Sequence, residues 1–330
     1  MAIKKSRRKS SKKKISRRRT SRKRSSKKKS SKKKSSRKRS SKKKSSSPEI
    51  IIINNIVYKI IKTMGSGSYG TAYLVSGRRN KKYIVKEIKN IKPANKREEI
   101  VLQYIKKYCT PYLSCLVDTE LSQMAVGEKW KMLIVLEYTP NYIELYDLLH
   151  DYEINYRYKF RIMTDLIKGL KDLHKTGVVH RDIKLHNIIV RIPGKKIIGK
   201  SSIRYIDYGL SCLAPNDGPD IATKDCYKRN AMTARYASPE LAKAWLDDKT
   251  LTYEQWKKCD LWALGISLYE LYSKKSPWKN KNGEKEDILI EIKNTTGFEG
   301  DNPFKTLKAP ENVLKVIKNL LEVDSEKRSL

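Results

Sequence analysis

The sequence has only three phenylalanines and five cysteines, and it has no continuous apolar run of about 18 residues. Without such a run no helix is expected to span a membrane, and no membrane partner is expected. None of the cysteines, at positions 109, 115, 212, 226 and 259, forms a C-x-x-C pair. Their spacing argues against a zinc site and against a disulfide framework. We therefore expect an intracellular protein of the nucleus or cytoplasm, or of a virion if the source is viral.

Acidic residues are absent from the first 47 positions, which hold 26 lysines and arginines. Pairs of small hydroxylic residues alternate with triplets of bases, a five-residue repeat that fits neither a helix face nor a strand face. With almost no apolar residues to bury, this segment is expected to be a disordered basic tail. Such a tail binds DNA, RNA or another polyanion by releasing counter-ions, and a solvated tail without a partner is the alternative.

The most informative segment covers residues 179–187 and reads VHRDIKLHN. Asp182 stands two residues before Lys184 and five before Asn187, so one short loop carries a base, a cation and a side-chain amide. The carboxylate suits the removal of a hydroxyl proton, the ammonium suits neutralisation of a transferring phosphate, and the amide suits metal binding. The spacing therefore predicts phosphoryl transfer.

A glycine-rich segment at residues 64–72 stands between two strand-like runs. Glycines in such a turn let backbone N–H groups approach phosphate oxygens. A plain hairpin turn is the alternative, whereas a dinucleotide-binding fold would need a helix directly after the glycines. Lys86, in the next strand-like run, favours phosphate binding. The predicted nucleotide-binding residues here are Met64, Gly65, Ser66, Gly67, Ser68, Tyr69, Gly70, Thr71 and Ala72.

Together these segments resemble, in the same order, the motifs of eukaryotic serine/threonine protein kinases. Residues 207–209 (DYG) resemble the D-F-G motif with tyrosine in place of phenylalanine, and residues 233–240 (TARYASPE) resemble the end of an activation segment. Residues 260–265 (DLWALG) resemble the motif that follows. The subfamily stays open, with a faint similarity to casein-kinase-1 relatives between Thr233 and Ser238.

The resemblance implies an α+β, bilobal protein kinase fold. It places a small β-rich N-terminal lobe with one main helix at residues 48–138 and a larger, mainly helical C-terminal lobe at residues 139–330. The disordered basic tail, residues 1–47, precedes them. The oligomeric state stays open.

The resemblance also implies transfer of the γ-phosphate of ATP, with Mg²⁺, to serine and threonine hydroxyls of protein substrates. The lysine at position 184 and the threonine at position 233 are features of the serine/threonine group. The expected catalytic residues are Asp182, Lys184, Lys86 and Thr233, and the expected metal ligands are Asn187 and Asp207.

The role that the resemblance implies for Lys86 requires a glutamate partner on the next helix. Glu98 and Glu99 are both available, and helical spacing from Glu99 to Leu102 favours Glu99, with Glu98 as the fallback. Arg328 stands where the family places the arginine that pairs with the glutamate corresponding to Glu240.

The adenine is expected between Ala72 and Ile84, where the family has valine and alanine, so that one side chain is smaller and the other larger. Backbone groups of Glu137 and Thr139 are expected at its edge. Two alternative functions stay open. One is a pseudokinase scaffold, which is supported only by Ala72, Ile84 and Tyr208. The other is a nucleic-acid-binding protein whose function resides mainly in the tail.

Regulation by an activation segment is a further expectation. Arg181 directly precedes Asp182, and kinases of that type use this arginine to hold a phosphate on the activation segment. The candidate acceptors are Ser211, Thr223 and Tyr227.

Overall fold

The computed structural model describes residues 49–67, 70–91, 96–123, 129–192, 202–215, 231–279, 283–298 and 303–330. The predicted basic tail, Ser68, Tyr69, Thr223 and Tyr227 lie outside the described residues. Residues 48–330 form one compact unit.

A six-stranded antiparallel sheet occupies the amino-terminal part, with strand order β1-β2-β3-β4-β6-β5. Its strands are β1 (Ile50–Ile53), β2 (Ile56–Gly67), β3 (Gly70–Ser76), β4 (Lys82–Ile91), β5 (Leu116–Gln123) and β6 (Trp130–Glu137). Asn54 and Asn55 turn the chain between β1 and β2 with φ of +45° and +63°, a conformation that asparagine tolerates better than most residues. One face of this sheet forms a small core from Ile53, Tyr58, Val75, Val85, Leu133 and Val135.

Helix α1 (Arg97–Lys107) packs against the sheet through one side. The buried positions are Glu98, Val101, Leu102 and Ile105, which recur at i, i+3, i+4 and i+7. Three of them are aliphatic and join the large core that also holds residues of β5 and β6. The fourth, Glu98, is therefore carried into the interior by its place on the apolar stripe.

The carboxy-terminal part of the described chain is mainly helical. Its helices are α2 (Leu145–Asp151), α3 (Tyr156–Lys175), α4 (Pro239–Leu246), α5 (Tyr253–Ser273), α6 (Lys285–Lys293) and α7 (Glu311–Leu320). Two small sheets accompany them, one with β7 (Tyr142–Glu144), β9 (Ile188–Arg191) and β10 (Ile203–Tyr205), the other with β8 (Val178–Val179) and β11 (Cys212–Leu213). The expected division into a β-rich and a helical part is confirmed, while the boundary at residues 138/139 stays a prediction.

Short polar residues set where the main helices begin. The side chain of Asn155 accepts a hydrogen bond from the amide of Tyr158 and caps α3, and Thr252 and Gln255 form a capping box at the start of α5. Helix α3 ends two residues before Gly177, whose φ of +76° suits glycine. Helix α5 is buried along most of its length, so it can hold residues of the site in fixed positions.

One expectation about the cysteines is wrong. Cys109 and Cys115 form a disulfide, with Cα atoms 6.0 Å apart, because the turn after α1 brings them within bridging range. Their spacing alone gave no sign of this turn. Among the helices in the described ranges, none is long and apolar enough to cross a membrane.

Candidate active site

Asp182 lies at the centre of a hydrogen-bond network in the loop between β8 and β9. Its Oδ2 accepts hydrogen bonds from Nζ of Lys184 at 2.7 Å and from Nδ2 of Asn187 at 2.9 Å. Its Oδ1 accepts one from the hydroxyl of Thr233 at 2.7 Å, and that hydroxyl in turn accepts one from Lys184 at 3.0 Å. The structure thus brings together four residues that the sequence predicted for the site, although Thr233 is 51 positions from Asp182.

The buried carboxylate of Asp260, on α5, holds the backbone of this loop in position through hydrogen bonds. It accepts hydrogen bonds from the backbone amides of His180 and Arg181, each at 2.8 Å, and from Nε2 of His174 at 3.0 Å. Arg181 has a φ of +67°, which is unfavourable for a residue with a side chain. Two hydrogen bonds to one buried carboxylate hold the backbone in this conformation. The contribution of His174 was not predicted, since nothing in the sequence relates it to Asp260.

A second cluster joins the sheet to the segment after β10. Nζ of Lys86 donates to both carboxylate oxygens of Glu98, at 2.7 and 2.8 Å, and to Oδ1 of Asp207 at 2.8 Å. Burial lowers the pKa of Lys86, but Glu98 and Asp207 outweigh this effect and raise it above its ordinary value. Burial raises the pKa of Asp207, but Lys86 beside it reverses the shift and lowers it. Lys86 and Asp207 therefore stay charged at neutral pH.

The partner of Lys86 is Glu98, so the preference for Glu99 is wrong and the fallback is the residue that the structure uses. Glu99 instead accepts a hydrogen bond from Nε2 of Gln103 at 3.3 Å on its own helix. The reason is the direction of the apolar stripe, because Glu98 leads the buried series 98, 101, 102 and 105. Counting the full series from each glutamate, and not only one step to Leu102, would have identified Glu98.

Paired substitutions test this correction. We expect Glu98→Gln to lower kcat/KM for phosphate transfer from ATP by roughly tenfold to a hundredfold, because Lys86 loses its fixed position. Glu99→Gln, a matched change one residue away, is expected to leave kcat/KM within about twofold, as is usual for a charge outside the site. Steady-state kinetics with varied ATP measure both. A larger loss in the Glu99 variant would contradict the assignment.

Three of the predicted nucleotide-binding residues, Ala72, Ile84 and Lys86, share one face of the sheet. The register pairs Ala72 with Lys86 and Leu74 with Ile84, which places Ala72, Ile84 and Lys86 on the same side. The predicted residues Met64, Gly65, Ser66 and Gly67 end β2, and Gly70, Thr71 and Ala72 begin β3. The hydroxyls of Ser66 and Thr71 lie 3.2 Å apart across this hairpin.

The third glycine of the motif, Gly70, cannot carry a side chain in this hairpin. Its φ is +129°, and a Cβ there would collide with the carbonyl oxygen of Glu87 on β4. By contrast, a Cβ at Gly65 would meet nothing within 4 Å, so this residue leaves open space beside the sheet. The two residues predicted at the adenine edge lie at and after the end of β6. The backbone amide of Glu137 donates to the carbonyl of Cys115 at 3.2 Å, and Thr139 is buried.

Asn187 and Asp207 fit the ligand preferences of Mg²⁺, which favours hard oxygen donors. Nδ2 of Asn187 donates to the carbonyl and to Oδ2 of Asp182, so the other end of the amide, Oδ1, is the end that suits a cation. In the described part of the chain, no group of three or more His, Cys, Asp or Glu side chains could hold a metal ion. A cation at Asn187 and Asp207 therefore needs additional oxygens, which phosphates and water provide.

The tyrosine of the D-Y-G segment is accommodated without disturbance. Tyr208 is buried, and its hydroxyl donates to the backbone carbonyl of Tyr205 at 3.1 Å. The same carbonyl also accepts a hydrogen bond from the amide of Ser114 at 3.0 Å. Tyr208 therefore fills the position of the usual phenylalanine and satisfies its polar atom.

We expect Tyr208→Phe to lower the free energy of unfolding by about 1 kcal/mol or less, because the Tyr205 carbonyl keeps its second donor. Tyr236→Phe is the contrasting variant, since the hydroxyl of Tyr236 donates to the buried carboxylate of Glu270 at 2.6 Å. Its loss is expected to cost about 1.5–3 kcal/mol, the range for hydrogen bonds to charged groups. Urea unfolding of both variants measures the difference, and equal losses would contradict this account.

The structure bears on the expectation that Arg181 binds a phosphorylated residue of the activation segment. Arg181 is buried, and its guanidinium carbon lies 4.0 Å from the ring centroid of Trp256 on α5. Ser211 is fully buried and its hydroxyl donates to the carbonyl of His180 at 3.1 Å, so its proposal as a phosphate acceptor is wrong for this conformation. The other two candidates, Thr223 and Tyr227, lie outside the described residues.

Comparison with known proteins agrees with this geometry. A family model described as protein kinase domain matches residues 58–329. The chain is similar to sporulation protein kinase mde3 of Schizosaccharomyces pombe, at 28% identity over 76% of the chain and 43% of that protein. It is also similar to calcium-dependent protein kinase 4 of Plasmodium falciparum (27%, over 73% and 42%) and to serine/threonine-protein kinase PKH1 of Saccharomyces cerevisiae (25%, over 82% and 33%). The matched region thus spans less than half the length of each of these relatives.

Proposed function

Because the chain belongs to the protein kinase domain family, whose bilobal α+β fold it has, we propose that it phosphorylates serine and threonine side chains of proteins. The phosphate donor would be ATP, with Mg²⁺ as the metal, since the family uses ATP and a divalent metal. The observation that carries the proposal is the network in which Lys184, Asn187 and Thr233 surround the carboxylate of Asp182.

In this proposal Asp182 orients the substrate hydroxyl and accepts its proton. A carboxylate offers about four lone-pair directions, and three of those on Asp182 are taken by Lys184, Asn187 and Thr233. The remaining direction, on Oδ1, suits the hydroxyl of a serine or threonine. Because the three donors fix the side chain, the acceptor atom is already in place when the substrate binds.

The two lysines of the site act on the phosphates. Lys86, fixed between Glu98 and Asp207, would hold the phosphates that stay with the nucleotide, and Lys184 would neutralise charge on the group in transfer. A bound Mg²⁺ supplies further charge neutralisation and orients the phosphate oxygens. Asn187 and Asp207 would hold it, and the backbone carbonyl of Asn187 accepts a hydrogen bond from Ile206 at 3.0 Å, which links the two segments.

The choice of serine and threonine rests on Lys184 and Thr233. Their hydrogen bond of 3.0 Å closes the network on the side of the activation segment, as the resemblance to the serine/threonine group implies. The name of the yeast relative, serine/threonine-protein kinase PKH1, supports the same choice.

A scaffold without turnover is less well supported by the geometry. Its sequence support came from Ala72, Ile84 and Tyr208, and the last of these is buried with its hydroxyl satisfied. Ala72 and Ile84 share the face of Lys86, and both are apolar, so they remove no charged group from the proposed site. The four charged or amide groups that transfer requires form two hydrogen-bonded pairs, Lys86 with Asp207 and Asn187 with Asp182.

The test is phosphate transfer by the purified full-length protein with Mg²⁺ and labelled ATP, on itself and on acidic and basic protein substrates. We expect labelled phosphoserine and phosphothreonine after acid hydrolysis of the products. Labelled phosphotyrosine alone would contradict the substrate class. Nucleotide binding without any transfer, including after treatment with an activating kinase, would favour the scaffold.

The basic tail is proposed to act independently of catalysis, through polyanions. Deletion of residues 1–47 is expected to leave kcat/KM on a short peptide within about twofold, because every proposed site residue lies outside the tail. The same deletion should abolish salt-sensitive retention on a polyanion such as heparin, because it removes 26 positive charges and no negative ones. Unchanged retention would place the polyanion site on the kinase domain.

A further inference from the structure

The outer face of the β1–β2 hairpin is apolar and exposed. Ile50, Ile52, Val57 and Ile61, which we call the hairpin patch, expose 52%, 54%, 47% and 47% of their surface. Alternate residues of the same strands point to the core, where Ile53 is 0% exposed. The strands therefore carry aliphatic side chains on both faces, which is unusual for a sheet with one face in water.

The register makes three members of the hairpin patch neighbours. Ile52 pairs with Val57 and Ile50 pairs with Lys59, so the side chains of these residues share one face. Ile61 lies two positions beyond Lys59, where the pairing of β2 with β3 shifts register, and it is exposed there; β1 is the edge strand of the sheet. The exposed lysines at positions 59 and 62 stand beside the aliphatic side chains.

A segment rich in positive charge directly precedes this hairpin in the sequence. The chain reaches Ile50 from residues 1–47, which carry 26 lysines and arginines and no acidic residue. A nucleic acid would use the charge but offers no apolar layer to the hairpin patch. A second copy of the chain would bring another net charge of +39 to the same place and be repelled. A bilayer with anionic lipids matches both features, because its headgroups attract lysine and arginine and its interface accepts aliphatic side chains.

We propose that the hairpin patch docks on the surface of an anionic lipid bilayer, to which the net positive charge of the sequence attracts the protein. This contact is peripheral and needs no membrane-crossing helix, so it departs from the expectation of no membrane partner, which rested on the lack of a long apolar run. It names one polyanion among those that the tail can bind, and it would place the proposed kinase site near membrane-associated substrates. Binding to lipid does not require turnover, so its test is separate from that of the proposed function.

The test is sedimentation of full-length protein with vesicles of phosphatidylcholine, with and without phosphatidylserine. We expect binding only to the anionic vesicles. A variant with Ile50→Ser, Ile52→Ser and Ile61→Ser should bind them about tenfold more weakly, since apolar area no longer leaves water on contact. Ile290→Ser is the matched control, because Ile290 on α6 is 45% exposed, and it should bind like the parent protein.

Duplex DNA and a gain-of-binding variant complete the design. DNA binding should be the same for parent and triple variant, because it depends on charge alone. Ile52→Trp should bind anionic vesicles more tightly, since tryptophan favours the membrane interface, and a misfolded protein would not show this gain. Equal vesicle binding by parent and triple variant, or no gain with Ile52→Trp, would overturn the proposal and leave a charge-only tail. Parallel losses on vesicles and DNA would overturn it as well.

Discussion

Asp182→Asn is expected to lower the rate of phosphate transfer by about a thousandfold, within the usual range of about 10²–10⁴ for loss of a general base. The amide has nearly the same size and keeps one acceptor atom, but it cannot take the proton of a substrate hydroxyl. It also introduces an NH₂ group among donors, because Lys184, Asn187 and Thr233 all donate to the native carboxylate. The loss therefore combines a missing base with a disturbed loop.

The measurement is single-turnover transfer, together with ATP affinity by calorimetry. We expect the affinity for ATP to change by less than about threefold, since Lys86, Glu98 and Asp207 form a separate cluster. Asp248→Asn serves as the control, because Asp248 is an exposed residue with a φ of +49°, a conformation that asparagine tolerates. Retained transfer in the Asp182 variant would mean that another group accepts the proton, or that none is needed.

Arg328→Met is expected to lower the free energy of unfolding by about 3–5 kcal/mol, the usual cost of breaking a buried ion pair from one side. The guanidinium of Arg328 is 0% exposed and donates to Oε1 of Glu240 at 2.7 Å and to Oε2 at 3.2 Å. It also donates to the backbone carbonyls of Lys258, at 2.8 Å, and of Glu322, at 3.0 and 2.9 Å. One side chain thus connects the start of α4, the second turn of α5 and the segment after α7.

Thermal unfolding measures this loss as a midpoint lower by roughly 10 °C. Lys327→Met is the adjacent control, since the side chain of Lys327 is 72% exposed. Its Nζ lies 3.6 Å from Oδ2 of Asp324, and such a surface ion pair contributes about 0–1 kcal/mol to stability. Adding Glu240→Gln to Arg328→Met should restore part of the loss, because it removes the unpaired carboxylate. Equal midpoints for the two methionine variants would show that the buried pair contributes little.

The sequence predicted that the polar side chains of Lys184, Asn187 and Asp182 belong to one site because their chemistry restricts residue type and spacing, and the structure brings them into contact. Asp182, Lys184 and Asn187 lie on one short loop, so their mutual contacts follow from local geometry. The division into sheet and helices was predicted through the resemblance of the motifs to those of protein kinases, and the structure confirms it. Glu98 follows from the helical period, because it leads the buried series 98, 101, 102 and 105.

Long-range partners could not be predicted in this way. Asp260 meets the amides of His180 and Arg181 from 80 and 79 positions away, and spacing along the chain does not say which distant carboxylate will reach them. The stacking of Arg181 on Trp256 depends in the same way on how α5 crosses beneath the loop. Both contacts follow from packing, which no local pattern encodes. The disulfide between Cys109 and Cys115 is local, but it depends on the turn that follows α1, for which the cysteine spacing gave no sign.

The ion pair between Glu240 and Arg328 has a consequence for the order of events during synthesis. The two residues are 88 positions apart, so a ribosome that adds about 5–20 residues per second needs several seconds to proceed from one to the other. During that interval α4 and α5 leave the exit tunnel with the glutamate unpaired. Nascent chains stalled before Arg328 should be cut rapidly by proteases in this region, whereas chains released after it should resist.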